Sequence, residues 1–150
     1  MYKNILVPTD GSKLSAKAVD EAVKLAKAFG AKVTFMHVMP DYKKVLSETY
    51  AVPMGMSAPV QKKFRGEAAA QSKKIIDQAC ADTAASGVEC AGVSVVNESP
   101  YEAVIKQAAK SKSDVIVMAS HGRKGLQGFL LGSETSKVLI HSKIPVLVVR

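Results

Sequence analysis

The sequence predicts an α/β fold, a doubly wound domain on an open five-stranded parallel sheet. Three observations carry that expectation. Uninterrupted apolar runs recur at residues 5–7, 115–118 and 146–149, as in strands covered on both faces. Stretches with a helical apolar period lie between the strand-like runs. Five strands and four helices alternate along the chain, an order that favours parallel pairing with right-handed crossovers.

The first strand, residues 4–7, leaves into Pro8-Thr9-Asp10-Gly11, a turn composition. Over residues 12–29 apolar side chains recur at Leu14, Ala18, Ala22, Leu25 and Phe29, predicting a helix that Gly30 stops. Residues 32–38, KVTFMHV, are rich in β-branched and aromatic types and predict the second strand. Residues 39–59 contain Pro40, Pro53, Gly55 and Pro59 and no sustained period, so a long, mobile connection is expected. A helix follows over 60–85 with a stripe of Phe64, Ala68, Ile75, Ile76, Ala79 and Thr83, ended by Ser86-Gly87. Residues 88–96 alternate imperfectly through Val88, Cys90, Val93 and Val95, which suits a strand near a sheet edge.

Ser99-Pro100-Tyr101-Glu102 predicts a helix start, with Ser99 as cap, Pro100 at the first helical position and Glu102 closing a capping box. Its core stripe is Tyr101, Val104, Ile105 and Ala108, and it runs to Lys112. The fourth strand, 114–118, ends near Ala119 and opens a glycine-rich turn, followed by a helix over 133–141 that uses Val138 and Leu139, and a last strand over 144–149. Pro145 has no N–H to give a ladder, which places that strand at an edge. An exposed apolar edge invites aggregation, and two-fold pairing with a second copy would cover it. A homodimer through residues 144–149 is therefore expected.

A chain of 150 residues, 47% hydrophobic, has the size of a single domain with one core, taken here as 1–150. No run approaches the ~18 apolar residues of a membrane span, and the N-terminus has no secretory apolar segment, so a cytoplasmic protein with no membrane partner is expected. Cys80 and Cys90 lack zinc or redox spacing and suit a reducing compartment. With His37, His121 and His141 they form no metal pattern either. Twenty-one basic against 13 acidic residues give a net charge of +8, which favours anionic partners. The lysines are scattered along helices and aromatics are only 5%, which argues against a dedicated nucleic-acid surface.

In open α/β sheets ligands bind beyond the C-terminal strand ends where strand order reverses. Two such ends carry polar chemistry here, Pro8-Thr9-Asp10 and Ala119-Ser120-His121-Gly122. After the fourth strand the chain reads ASHGRKGLQGFLLGSETSKVL, with glycines at 122, 125, 128 and 132. Glycine lets backbone N–H groups approach a ligand, and Gly132 and Ser133 open a helix whose N-terminus favours anions. Ser133 and Thr135 add hydroxyls, and Arg123 and Lys124 add charge. A phosphate-bearing ligand fits this turn; a tight connection with no ligand is the plain alternative. No GxxxxGK[ST] or GxGxxG occurs, which argues against a P-loop or dinucleotide site, and no G-x-S-x-G elbow supports a serine hydrolase. Asp10 suits either a helix cap or Asx turn, or a ribose or Mg²⁺ contact. For His37 and His121, packing against the strand ends is the expected place.

The opening ILVPTDGS, the His37-Val38 pair, the ASHG segment and the closing PVLVVR together resemble the universal stress protein family over the whole chain. The ATP-binding pattern of that family is Gly, two residues, Gly, nine residues, then Gly with Ser or Thr. Gly122, residues 123–131 and Gly132-Ser133 match it, and Ala119 stands where the pattern has its first glycine. The resemblance implies a Rossmann-like, adenine nucleotide alpha hydrolase-like fold. It places adenine near Val38 and the backbone of Pro8 and Thr9, and Asp10 towards the ribose or Mg²⁺. The phosphates would lie over Gly122, Arg123, Lys124, Gly125, Gly132, Ser133 and Thr135, with Ala119, His121 and Glu134 completing the site. It further implies ATP, ADP or AMP as ligand, a dimer through the last strand, and a regulatory role in stress response with at most slow ATP hydrolysis. The alternatives are a member that binds no nucleotide and serves as an interaction module, a weak phosphohydrolase, and a nucleic-acid binder.

Overall fold

The computed structural model describes residues 1–41, 58–122 and 131–150. The elements follow the expected order: β1 (Asn4–Pro8), α1 (Lys13–Phe29), β2 (Lys32–Met39), α2 (Ala58–Ala84), β3 (Cys90–Val96), α3 (Pro100–Lys110), β4 (Val115–Ala119), α4 (Ser133–His141) and β5 (Val146–Val149). The five strands form one parallel sheet in the order β3-β2-β1-β4-β5. The expected connection at 39–59 lies for the most part, residues 42–57, outside the described residues.

β1 is the centre of the sheet because its side chains are apolar on both faces. Ile5 and Val7 point to one side, where Val33, Phe35, Val115 and Val117 meet Val19, Ala22 and Ala26 of α1 and Ala79 of α2. Leu6 points to the other, where Met36, Ile116 and Met118 meet Ala103, Val104 and Ala108 of α3 and Val138 of α4. Each of these β1 side chains contributes about 1.5–3 kcal/mol of burial. Two helices on each face make a three-layer, doubly wound domain. Both predicted edges are edges: β3 and β5 end the sheet.

The buried stripes run closer to the small residues than the sequence period suggests. α1 buries Ser15, Ala18, Val19, Ala22 and Ala26, while Leu14 and Leu25 sit at the margin and Phe29 is exposed, packing edge-on against Tyr2 at 5.7 Å. Small side chains let the helix approach the sheet and move the larger ones to its flanks. The buried residues of α2 begin at Ser72; Phe64, expected in the core, is 37% exposed, and Ala68 is only partly buried. In α4 Val138 is buried and Leu139 is 41% exposed, since only one side of this short helix faces β4.

The Ser99 capping box does not form. The Ser99 side chain makes no cap bond, and Glu102 Oε1 instead accepts from the Tyr101 hydroxyl at 3.0 Å. Asn97 Oδ1 accepts from Ser99 N at 2.8 Å, and a carboxylate from another helix takes the N-terminus of α3, as described below. Pro145 precedes β5 instead of lying within it; its carbonyl accepts from Ile116 N at 2.9 Å.

α2 approaches β3 closely at Gly92, where a Cβ would overlap Ile76 Cγ2. Ile76 is buried and β-branched in a helix, so its rotamer cannot yield freely. Gly92→Ala is expected to cost about 1–3 kcal/mol, read as a lower urea midpoint at constant slope; an unchanged midpoint would show that α2 shifts without cost.

Candidate functional site

The crevice at the reversal of strand order is made by strands of unequal reach. The β1–β2 ladder ends at Pro8↔Met36, with Thr9 N donating to Met36 O at 2.8 Å, after which β1 turns into α1. β2 continues to Met39, whose carbonyl accepts from Asn97 N on the β3 side. Peptide groups alternate sides along a strand, so the N–H and C=O of Val38 face the β1 side, past the point where β1 has turned away. β4 closes the other flank and ends at Ala119.

Local hydrogen bonds set the turn after β1. The Thr9 hydroxyl donates to Ser15 Oγ at 3.1 Å and accepts from Gly11 N at 3.3 Å. Asp10 Oδ1 accepts from Ser12 N at 2.9 Å, an Asx turn. Ser12, and not Asp10, is the cap of α1, its hydroxyl accepting from Ser15 N at 3.1 Å. The second Asp10 oxygen lies towards β4: a Cβ at Gly122 would stand 2.8 Å from Asp10 Oδ2. The two strand ends therefore meet at Asp10 and Gly122, and the glycine is what lets them.

The second wall is α4, tied to the end of β4. Gly132 N donates to Ser120 O at 2.7 Å, and the Thr135 hydroxyl donates to Ala119 O at 3.0 Å. A Cβ at Gly132 would lie 3.0 Å from His121 Cα and 3.1 Å from Ser120 O, so the close approach of helix start to strand end requires glycine. His121 stays beside the strand end, its Nδ1 3.2 Å from Ser120 Oγ. Ser133 is exposed in the first turn of α4.

Pro8, Thr9, Asp10, Val38, Ala119, His121, Gly122, Gly132, Ser133, Glu134 and Thr135 all line one cavity of about 630 Å³, within the range of small-molecule sites. Arg123, Lys124 and Gly125, also expected at the site, lie outside the described residues. The cavity has an apolar end that sequence reading did not assign, with Pro40, Pro100, Val104, Met118 and Val138. Val104 and Val138 carried only a core signal and Pro100 only a helix-start signal; nothing local marks them as wall residues. The hydroxyl of Thr135 is engaged by Ala119 O, and the Glu134 carboxylate accepts from Tyr101 N at 2.9 Å and from Lys137 Nζ at 2.8 Å.

Among the described residues no cluster of three or more His, Cys, Asp or Glu could hold a metal ion; a divalent ion here would depend on Asp10 and on ligand oxygens. His37 turns to the opposite face, its Nδ1 2.9 Å from Ser72 Oγ, which is 2.7 Å from Ser94 Oγ. Cys80 and Cys90 are free thiols away from the cavity. Burial, with the neighbouring Cys90 thiol, pushes the Cys80 pKa up to about 12, so it stays protonated and unreactive at neutral pH. No described helix is long and apolar enough to cross a membrane.

A family model described as the universal stress protein family matches residues 1–150. Universal stress protein YxiE of Bacillus subtilis is 32% identical over 150 residues, covering all of both chains. Among solved structures, universal stress protein UspA from Lactobacillus plantarum superposes with a TM-score of 0.81 at 27% identity, covering 99% of this chain and 98% of that one. A universal stress protein in complex with cAMP superposes with a TM-score of 0.71 at 27% identity, covering 99% and 97%.

Thr135 is buried, and its hydroxyl makes one of the two bonds that tie the start of α4 to the β4 end. Thr135→Val keeps shape and β-branching but leaves the Ala119 carbonyl without this donor, at an expected cost of about 1–2 kcal/mol. Urea unfolding of the two proteins measures it, and equal midpoints would show that the carbonyl finds another partner.

Proposed function

Because the chain belongs to the universal stress protein family over its whole length, we propose that it binds an adenine nucleotide in the β1–β2–β4 crevice and acts as a nucleotide-responsive binding protein in the cytoplasm. One observation carries the reading: a single cavity joins apolar side chains, a glycine-lined helix start and the Asp10 carboxylate. Those are the needs of a nucleoside phosphate. The base is flat and apolar on its faces, with donors and acceptors at its edge; Val38 offers one peptide N–H and one C=O for that edge beside Pro40, Val104 and Met118. Asp10 lies where hydroxyls of a ribose would find an acceptor. The N-terminus of α4, with Gly132 and Ser133, suits the phosphate. The cAMP complex of a relative of similar fold and 27% identity supports an adenine nucleotide as the ligand class.

ATP, with Mg²⁺ held by Asp10 and the phosphates, is the proposed form, with ADP and AMP as shorter ligands of the same crevice. Bound Mg²⁺ would supply charge neutralisation of the phosphates. Hydrolysis is at most slow in this reading. The carboxylates of the described crevice are held by Ser12 N in the case of Asp10 and by Tyr101 N and Lys137 in the case of Glu134, and neither is set to orient an attacking water.

We further propose a symmetric homodimer through the β5 edge. Leu147 is 42% and Ile140 73% exposed on β5 and α4, an apolar edge of the kind that a second copy covers.

Two experiments test these readings. Freshly purified protein is denatured and any released nucleotide identified, and the stripped protein is titrated with Mg·ATP and AMP by calorimetry. Micromolar affinity is expected, with a loss of about tenfold, or ~1.4 kcal/mol, in Asp10→Ala; a wild-type chain that neither carries nor takes up adenine nucleotide overturns the proposal. For the assembly, light scattering is expected to give twice the chain mass, falling to one chain in Leu147→Lys. A monomeric wild type would rule the dimer out.

A further inference from the structure

Glu134 stands in the first turn of α4, beside the residues proposed to meet phosphate, where a carboxylate facing the ligand would repel it. The structure turns it elsewhere. Its Oε2 accepts from Tyr101 N at 2.9 Å, and its Oε1 accepts from Lys137 Nζ at 2.8 Å. α3 begins with Pro100, which has no N–H, and the Ser99 side chain makes no cap bond. Tyr101 therefore presents the first N–H of that helix, and an acid from a different helix receives it. Charge favours the arrangement twice over, through the positive end of α3 and through Lys137. The Tyr101 ring extends the same junction, with Lys137 Nζ 5.4 Å from its centroid and the His141 ring at 5.4 Å.

α3 and α4 are the two walls of the crevice on this face of the sheet. Pro100, Tyr101 and Val104 line it from α3, and Ser133, Glu134, Thr135 and Val138 from α4, with both Glu134 carboxylate oxygens engaged by Tyr101 N and Lys137 Nζ. We propose that Glu134 is a positioning residue, a strut between the N-termini of α3 and α4 that sets the width of the nucleotide crevice without touching the ligand. The proposal rests on the nucleotide reading above. A strut fixes the separation of the walls before the ligand arrives, so its removal adds an ordering cost that every ligand of the crevice meets alike. A carboxylate in contact with the ligand would act differently, because its effect would grow with the number of phosphates.

The test measures binding of adenosine, AMP and Mg·ATP to nucleotide-free wild type, Glu134→Ala, Glu134→Gln and Glu134→Asp, with thermal melts of each. Glu134→Ala is expected to weaken all three ligands by a common factor of about three to ten. Glu134→Gln keeps an acceptor for Tyr101 N at the same reach and is expected to recover most of that loss. Glu134→Asp keeps the charge but shortens the reach, and is expected to resemble Glu134→Ala; it also serves as the disrupted variant if Glu134→Ala does not fold. A change that grows from adenosine to ATP would make Glu134 a phosphate-facing group and overturn the strut. Unchanged affinities in Glu134→Ala and Glu134→Asp, or a Glu134→Gln no better than Glu134→Ala, would overturn it too. These results require binding by the wild type; if wild type binds none of the three, the nucleotide reading falls and the strut with it.

Discussion

The structure depends on a central strand that is buried on both faces and stops before its neighbours do. β1 must lie in the middle of the sheet because Ile5, Leu6 and Val7 leave it no polar side to show to solvent. Its ladder to β2 ends at Pro8↔Met36 while β2 runs on to Met39. That difference in reach opens the crevice, turns the Val38 peptide groups towards it, and brings Asp10 to Gly122 across the strand-order reversal. The helices on the face of Leu6 and Met36 then become walls, because they are the layer that covers this half of the core.

Both acids in the crevice are held by backbone N–H groups: Asp10 by Ser12 N in the turn that starts α1, and Glu134 by Tyr101 N at the start of α3. Each is directed by a donor that costs no side chain, and Glu134 has Lys137 as well. The glycines serve a complementary purpose. Gly122 and Gly132 lie where a Cβ would press on Asp10 and on the His121 backbone, so their role is close approach of chain segments as much as access for a ligand.

Much of the fold was legible in the sequence because burial on both faces of a parallel sheet writes itself as uninterrupted apolar runs, as in Ile5-Leu6-Val7 and Val115-Ile116-Val117-Met118. Edge positions were legible for the converse reason, in the imperfect alternation of 88–96 and in Pro145. Errors fell where a choice among neighbouring residues is made by distance. Periodicity named Ala18 and Ala22 for the α1 core, which are buried, together with Leu14, Leu25 and Phe29, in whose place the sheet accepted Ser15, Val19 and Ala26. It named Phe64, which is 37% exposed. The capping box at Ser99 and Glu102 was locally sound and was displaced by Asn97, which takes Ser99 N, and by the Glu134 carboxylate, 33 residues from Tyr101 in sequence, which takes Tyr101 N.

By itself the sequence determined the order of elements, their parallel pairing, and the two strand ends that carry polar chemistry, since all of these follow from local composition and from the rules of parallel α/β connection. Tertiary structure decided which atoms at those ends are engaged. Thr135 bonds the end of β4, Ser12 in place of Asp10 caps α1, and Glu134 spans to another helix, because hydrogen-bond partners far apart in sequence meet only once the helices are packed against the sheet. It also decided the apolar end of the cavity: Val104 and Val138 look like any core residues until the early end of β1 leaves open space beside them.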